Sequence, residues 1–405
     1  MKPINPVIIA GGGPVAVVLG LALWKQDIPV IILEKEKEPL MDQRAASNHP
    51  PTVEMLVSLG LEEILEEGLK APTYRIWDRE TRETIAEFDL ADLKNELPYP
   101  FVLQYEQYKT VRKILELYGN QSGYDMRFLH EVLSLKQYSD HIDITVSMPD
   151  GSIELMRAAY LIACDGAGST VRKEAAINYS GFTYDENFIK IGTYFDFGSI
   201  SGVQYRNFWL GPDEWCNLFK VNGEAPDPPI WRGVFPMKIG ESQKQAKSPQ
   251  GVQTRLQRFF PKTGDYQIAY SNVYTVHQRV AETMRKGRVL LAGDSAHSNN
   301  PIGGMGLNGG IHDAINLSEK LGKVIRGEAD DTLLSLYSRQ RHKAATDFIQ
   351  CQTIANKKMM EDKDPFSRQA RFEKLRRISD DKKLSRAYLR RAQLIDSLNA
   401  AAETV

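Results

Sequence analysis

The sequence predicts an α/β protein in which a parallel-sheet domain carries an inserted β-sheet domain and ends in a C-terminal helical region. Three observations predict it. An apolar strand, a glycine turn, an apolar helix and a second strand fill residues 7–34. Short strand-like pieces rich in Tyr, Phe and Trp fill about 180–275, and charged helical segments fill the chain beyond 331. The 405 residues are 42% hydrophobic, 25% charged and 9% aromatic, which excludes disordered, collagen-like and low-complexity classes. Lys+Arg total 51 against 52 Asp+Glu, a balance that argues against a nucleic-acid binder relying on bulk charge and leaves only a local patch for that role. Cys164, Cys216 and Cys351 lie far apart, without metal-ligand spacing. They read as reduced thiols of a cytoplasmic protein, and no metal is expected.

The elements follow in order. Residues 4–10 (INPVIIA) read as a strand buried on both faces, 14–26 as a helix and 30–34 (VIILE) as a second strand. The uncharged run Val7–Trp24 has the length of a membrane span, but Gly11, Gly12, Gly13 and Pro14 interrupt it, so no membrane role is expected. Residues 52–66 read as a helix capped by Thr52, 73–89 as a hairpin, 105–118 as a helix and 128–164 as a meander. The aromatic-rich stretch to 275 reads as a sheet, 288–292 as a short buried strand, and 306–326, 333–360 and 366–399 as helices. Between Lys357 and Arg391 stand 13 Lys/Arg and 6 Asp/Glu, a difference of +7. A solvated helix face or a subunit contact explains that excess, with a nucleic-acid or membrane surface as the alternative.

Three motifs carry chemistry. The first, Gly11-Gly12-Gly13-Pro14-Val15-Ala16, follows a strand and opens a helix. Small residues there let a pyrophosphate approach the backbone, and the helix N-terminus offers it free N–H groups. Glu34 ends the next strand, where an acid can accept hydrogen bonds from an adenosine ribose. The arrangement is Rossmann-like and predicts a dinucleotide. The second motif, Cys164-Asp165-Gly166-Ala167-Gly168-Ser169 with Arg172 beyond it, is another strand–loop–helix and reads equally as an ordinary Asp-Gly turn. The third runs from Gly293-Asp294 through His297 and Pro301 to Gly306-Leu307-Asn308 and Gly310. An Asp at a strand end suits a sugar-alcohol chain, and the glycine run lets main chain lie against a flat ring. The helix that follows points its positive end there, and Asp313 near its start also suits the dipole.

These motifs, in this order, resemble the class A flavin-dependent aromatic hydroxylases, FAD monooxygenases with the p-hydroxybenzoate hydroxylase fold. The resemblance spans about residues 4–325 and includes Arg44–His49 and Gln104. Ala16 departs from the pattern, where the fingerprint expects Gly. It implies an FAD-binding domain of residues 1–72, 100–180 and 277–330. The substrate-binding β-sheet domain would comprise 73–99 and 181–276, and the C-terminal helical region 331–405. It implies that Gly11, Gly13, Pro14 and Val15 hold the FAD pyrophosphate and Glu34 the ribose. Arg44 and Gln104 would contact the phosphate and ribityl region. Asp165 and Arg172 would belong to a motif shared by FAD and NAD(P)H, and Asp294 would bind the ribityl chain. Gly306, Leu307 and Asn308 would underlie the flavin, with Pro301 beside the substrate.

The implied activity is hydroxylation of a small phenol or hydroxylated N-heteroaromatic, using NADH or NADPH and O2 through a flavin hydroperoxide. Other flavoproteins of this fold, a halogenase or a prenyl reductase, are alternatives, as is a non-catalytic FAD-binding module. A homodimer is compatible with the sequence. A phenol reacts best as phenolate, so a base or relay is expected, with His297 the candidate and His49 and His312 similar. Tyr205, Arg206, Trp209, Trp215, Asn217, Trp231 and Arg232 are candidates for the substrate wall. The alternation in 231–236 favours the face of Trp231, Gly233 and Phe235, and Tyr205, Trp231 and Phe235 are the substrate residues expected.

Overall fold

The structure is a computed structural model that describes residues 5–41 and 44–405. Ile4, the start of the expected first strand, lies outside the described residues. The apolar run Val7–Trp24 divides as its glycines require, into strand β1 (Val7–Ala10) and helix α1 (Pro14–Trp24), followed by strand β2 (Val30–Glu34). β1 pairs in parallel with β2 on one side and with β3 (Tyr160–Ala163) on the other. Every residue of β1 and β3 is buried, so both are apolar without alternation, as strands covered on both faces must be. Tyr124–Phe128, Val289–Leu291 and Arg285–Lys286 complete this six-stranded sheet. Helix α1 is apolar nearly all round because it is buried between the sheet and a later helix.

Two expectations change here. The meander over 128–164 holds for Glu131–Gln137, Ile142–Ser147 and Ile153–Ala158, but β3 leaves it for the parallel sheet. The switch is marked by the change from the mostly exposed IELMRA to the fully buried YLIA. The helix expected over 52–66 is shorter, Pro50–Ser58, and begins after His49 rather than Thr52, because Pro50 and Pro51 fit a first helical turn.

The inserted region forms a seven-stranded sheet. Its strands are β4 (Phe188–Thr193), β5 (Arg206–Leu210), β6 (Cys216–Val221), β7 (Ile230–Pro236) and β8 (Ile268–Tyr274), joined at one edge by the hairpin Thr73–Asp78 and Thr84–Asp89. One face packs on the helix Pro249–Phe259 through Trp77, Ile189, Ile191, Trp209, Leu218, Trp231 and Phe235. The opposite face looks toward the parallel-sheet domain.

Helix α2 (Met305–Ile325) returns the chain to α1. A Cβ on Gly310 would stand 2.6 Å from Val15 and 3.2 Å from the Gly293 backbone, so glycine is what permits this approach. The helix expected over 333–360 is interrupted. Helix α3 (Thr332–Lys343) passes into a π-helical stretch, Ala344–Gln350, before regular helix resumes. Helices over Pro365–Asp380, Lys382–Ala392 and Ile395–Ala402 follow. Much of the basic excess is paired within the chain: Arg368 with Asp78 and Glu80, Arg386 with Glu96, and Arg390 with Glu96 and Asp396. Among the described residues no helix is long and apolar enough to cross a membrane.

Candidate active site

One cleft, about 350 Å³, runs between the two sheets. At one end it is lined by Gly13, Pro14 and Val15 of α1, by Cys164, Gly166 and Ala167 after β3, and by Asp294. Its middle is lined by Arg44–Ser47, Pro301, Gly304, Gly306 and Leu307, and its far end by the inserted sheet. The start of α1 has neither a capping side chain nor an acid in its first turn. Its backbone donors are therefore left for a ligand. A Cβ at Gly13 or at Gly166 would meet no atom within 4 Å, so open space faces both turns. Gly11 serves the turn itself, with φ +99° and its position against the Cys164 carbonyl. The N-terminus of α2 is likewise uncapped, behind Gly304 at φ +75°.

Several expected residues stand behind the wall and shape it. Glu34 accepts from the Gly12 N–H at 2.5 Å and from the Glu36 N–H at 2.9 Å. Gln104 is fully buried and accepts from Ser47 Oγ at 2.9 Å, while Gln107 lines the cleft instead. Asp165 accepts from the Val171 N–H, and burial pushes its carboxyl up against the hydrogen bonds that lower it. Arg172 donates to the Ser295 and Ala167 carbonyls and lies 3.9 Å from the Tyr179 ring, pinning the second motif to the third. Asn308 is buried; its Oδ1 accepts from the His49 N–H at 2.7 Å, and its Nδ2 donates to the Ser47 and Gly304 carbonyls. It locks segment 47–49 against the start of α2.

His297 does not meet the catalytic expectation. It is fully buried, outside the cleft lining, and its Nε2 lies 2.7 Å from Asp313 Oδ2. Asp313 also accepts from the Gly293 N–H at 3.0 Å and from Arg341 Nε at 2.6 Å. Burial alone would raise the Asp313 carboxyl, but His297 and Arg341 outweigh it and hold it at about 2. This network sets the turn that carries Asp294, a role neither the His297 nor the Asp313 reading anticipated. His49 and His312 are also buried, bonded to the Gly303 carbonyl and to Thr52 Oγ1.

The substrate residues expected on the inserted sheet require correction. The period of two in β7 is right, but the chosen face is the other one. Trp231 donates to Asp196 Oδ1 at 2.8 Å and Phe235 packs on Phe259, both in the core beneath the sheet. Tyr205 is 40% exposed and outside the cleft. The cleft is lined instead by the opposite parity: Lys190, Arg206, Asn217, Phe219, Val234 and Tyr274. Arg206 and Asn217 were among the wall candidates. Lys190 was missed, although a lone lysine inside the apolar strand FIKIGT is a readable signal. Burial raises the Tyr274 hydroxyl above its usual range, so it stays a neutral phenol.

A parallel-sheet half with two uncapped helix ends on one cleft, closed by a largely antiparallel sheet, is the arrangement of a dinucleotide-binding enzyme. Comparison with known proteins narrows this. The family model described as FAD binding domain matches residues 5–352. The chain is 32% identical over 371 residues to para-nitrophenol 4-monooxygenase of Pseudomonas sp. (strain WBC-3), covering 91% of this chain and 90% of that protein. It is 28% identical over 350 residues to 6-hydroxy-3-succinoylpyridine 3-monooxygenase HspB of Pseudomonas putida, covering 85% and 86%. The crystal structure of p-nitrophenol 4-monooxygenase PnpA from Pseudomonas putida DLL-E4 superposes with a TM-score of 0.90 at 31% identity, over 98% of this chain and 99% of that one. The chain belongs to the class A flavin-dependent aromatic hydroxylases, and its cofactor is FAD.

Proposed function

We propose that this chain hydroxylates a small phenol or hydroxylated N-heteroaromatic at the expense of NADH or NADPH and dioxygen. The observation that carries the reading is the continuity of one cleft from the uncapped start of α1 to the inserted sheet. FAD, when bound, takes hydride from the nicotinamide and activates dioxygen for transfer to the ring. The residues present fit that cofactor. Gly13, Pro14 and Val15 would hold its pyrophosphate at the α1 N-terminus, and Glu34, at the end of β2, would accept from the ribose. Arg44 and Asp294 line the stretch between. Gly306 and Leu307 would face the flavin ring, with Pro301 beside the substrate.

The chain's own groups set the electrostatics. The α2 N-terminus favours negative charge developing over it. Lys190 and Arg206 line the substrate end with Asn217, and among the described residues no carboxylate lines that end. This environment favours a bound phenolate, the electron-rich form of the ring, without a dedicated histidine. Phe219, Val234 and Leu307 supply apolar wall that excludes water from the ring. Consumption of reduced nicotinamide and three unpaired thiols fit the cytoplasm.

The test is direct. The purified protein carries a yellow FAD spectrum, and a phenol or hydroxypyridine stimulates NADH or NADPH oxidation with matching oxygen uptake and a hydroxylated product. Asp294→Ala and Arg44→Ala each weaken FAD retention. Unchanged FAD occupancy in both variants contradicts the contacts assigned. Bound FAD with no ligand that stimulates oxygen uptake contradicts the catalytic reading.

A further inference from the structure

Arg206 stands out among the buried charges of the molecule. Its residue is only 5% exposed, at the end of β5 that faces the cleft. Among the described residues, no carboxylate and no hydrogen-bond acceptor meets its side chain, and Nη1 is buried without a partner. The neighbours of the guanidinium are ring faces: Tyr74 at 5.5 Å and Phe208 at 5.9 Å. Burial lowers it to about 10, so it remains cationic at neutral pH. Burial also raises the hydroxyls of Tyr74 and Tyr388, so neither supplies a balancing anion. The contrast with other buried arginines is plain: Arg255 is paired with Glu214 and Glu241, and Arg341 with Asp313.

An isolated buried guanidinium costs free energy unless something else completes it. Behind Arg206 lies a second cavity of about 30 Å³, lined by Tyr74, Tyr388, Asn356 and Gln393. That is room for a water or two, which can accept hydrogen bonds but cannot neutralise charge. On its other side Arg206 lines the substrate end of the main cleft. A guanidinium is a planar fork that matches a planar pair of oxygens, which a single phenolate oxygen is not.

We infer that Arg206 is a specificity-determining residue that receives a planar two-oxygen substituent, a nitro or carboxylate group, carried by the phenolic substrate. The inference rests on the phenol-hydroxylase reading and deepens it. A carboxylate there neutralises the buried charge, and the nitro group of a bound nitrophenolate does so in part, because resonance places the ring's negative charge on its two oxygens.

Equilibrium binding to the FAD-loaded protein tests it without turnover, by titrating four ligands against the flavin absorbance. Two are 4-nitrophenol and 4-hydroxybenzoate; two are their neutral counterparts lacking the paired oxygens, 4-methylphenol and 4-hydroxybenzamide. The parent protein binds at least one two-oxygen ligand roughly ten to a hundred times more tightly than its counterpart, the span of charge-assisted hydrogen bonds. Arg206→Met collapses that ratio toward one, and Arg206→Lys retains only part of it, because an ammonium keeps charge without the fork. The unliganded Arg206→Met protein melts no lower than the parent, since it loses an uncompensated charge. If Arg206→Met does not fold, the ratio in Arg206→Lys decides: unchanged, it overturns the inference. A parent protein without the preference, or an Arg206→Met protein that keeps it, also overturns it. So does an equal loss for all four ligands, which would put Arg206 on the ring hydroxyl. Failure of any phenol to perturb the flavin overturns the hydroxylase reading itself.

Discussion

Asp313 shows how one buried carboxylate can hold a turn of the cleft wall in place. It accepts from the Gly293 N–H, from His297 and from Arg341, joining the third motif, α2 and α3. Removing its charge strands a buried guanidinium, a loss of about 3–5 kcal/mol in the usual range for broken buried pairs. Asp313→Asn therefore lowers the denaturant midpoint by that order and loosens FAD. His297→Gln lowers the melting temperature while the pH profile of turnover keeps its shape; a missing limb in that profile would restore His297 to catalysis. At this scale the sequence was legible where a residue sits at a helix start. Gly13, Pro14, Gly306 and Leu307 fall on the cleft as expected, because strand–glycine–helix spacing fixes position locally. Lys190 was not assigned, and Arg206 was only one of several wall candidates, because which strand face meets the cleft is decided by distant strands.

At the scale of elements, β7 separates what alternation can and cannot say. Its period of two was plain, yet which parity faces the cleft depends on where the helix Pro249–Phe259 packs, more than a dozen residues onward. Phe235→Ala removes a fully buried ring and costs about 3–5 kcal/mol. It leaves phenol affinity unchanged, and a matched loss of affinity would contradict the face assigned here. The contact of α1 with α2 is as exacting. Gly310→Ala forces a Cβ into Val15 and the Gly293 turn, costing about 1–3 kcal/mol by overpacking. Because Val15 and Asp294, on either side of that contact, line the cleft, FAD retention is expected to fall with stability. The π-helical stretch could not be read from a continuous helical pattern. It brings Ile349 against Gly309, where a Cβ would stand 2.5 Å away, and Gln350 Nε2 to the Ser298 carbonyl on the cleft wall.

Across the whole molecule, ionisable groups are buried both where the inserted sheet meets the parallel-sheet half and within that half itself. Burial lowers His49 from 6.5 to about 3, with Arg206 adding to the effect, and moves His312 the same way. Both are neutral in the fold and take up protons on unfolding below pH 6.5, so stability is present above that value and falls as pH drops. Two such groups give a slope of about 2–3 kcal/mol per pH unit between about pH 6 and pH 5. Urea unfolding at several pH values reads it directly, and His49→Gln with His312→Gln flattens it; a slope unaltered by both changes contradicts this origin. The mixed α/β plan, with separate sheets and a helical C-terminal region, was legible because texture changes along the chain, from apolar α/β units to aromatic-rich strands to charged helices. The cleft between them was not, since it is made by the docking of elements.

A crystal structure of the FAD-loaded protein with 4-nitrophenol tests the central claim most directly. It should show pyrophosphate at the start of α1, the flavin ring over the first turn of α2, and the phenol between that ring and the face of Lys190, Arg206 and Val234. Density for the phenol on the Trp231–Phe235 side, or for the dinucleotide outside this cleft, would contradict it.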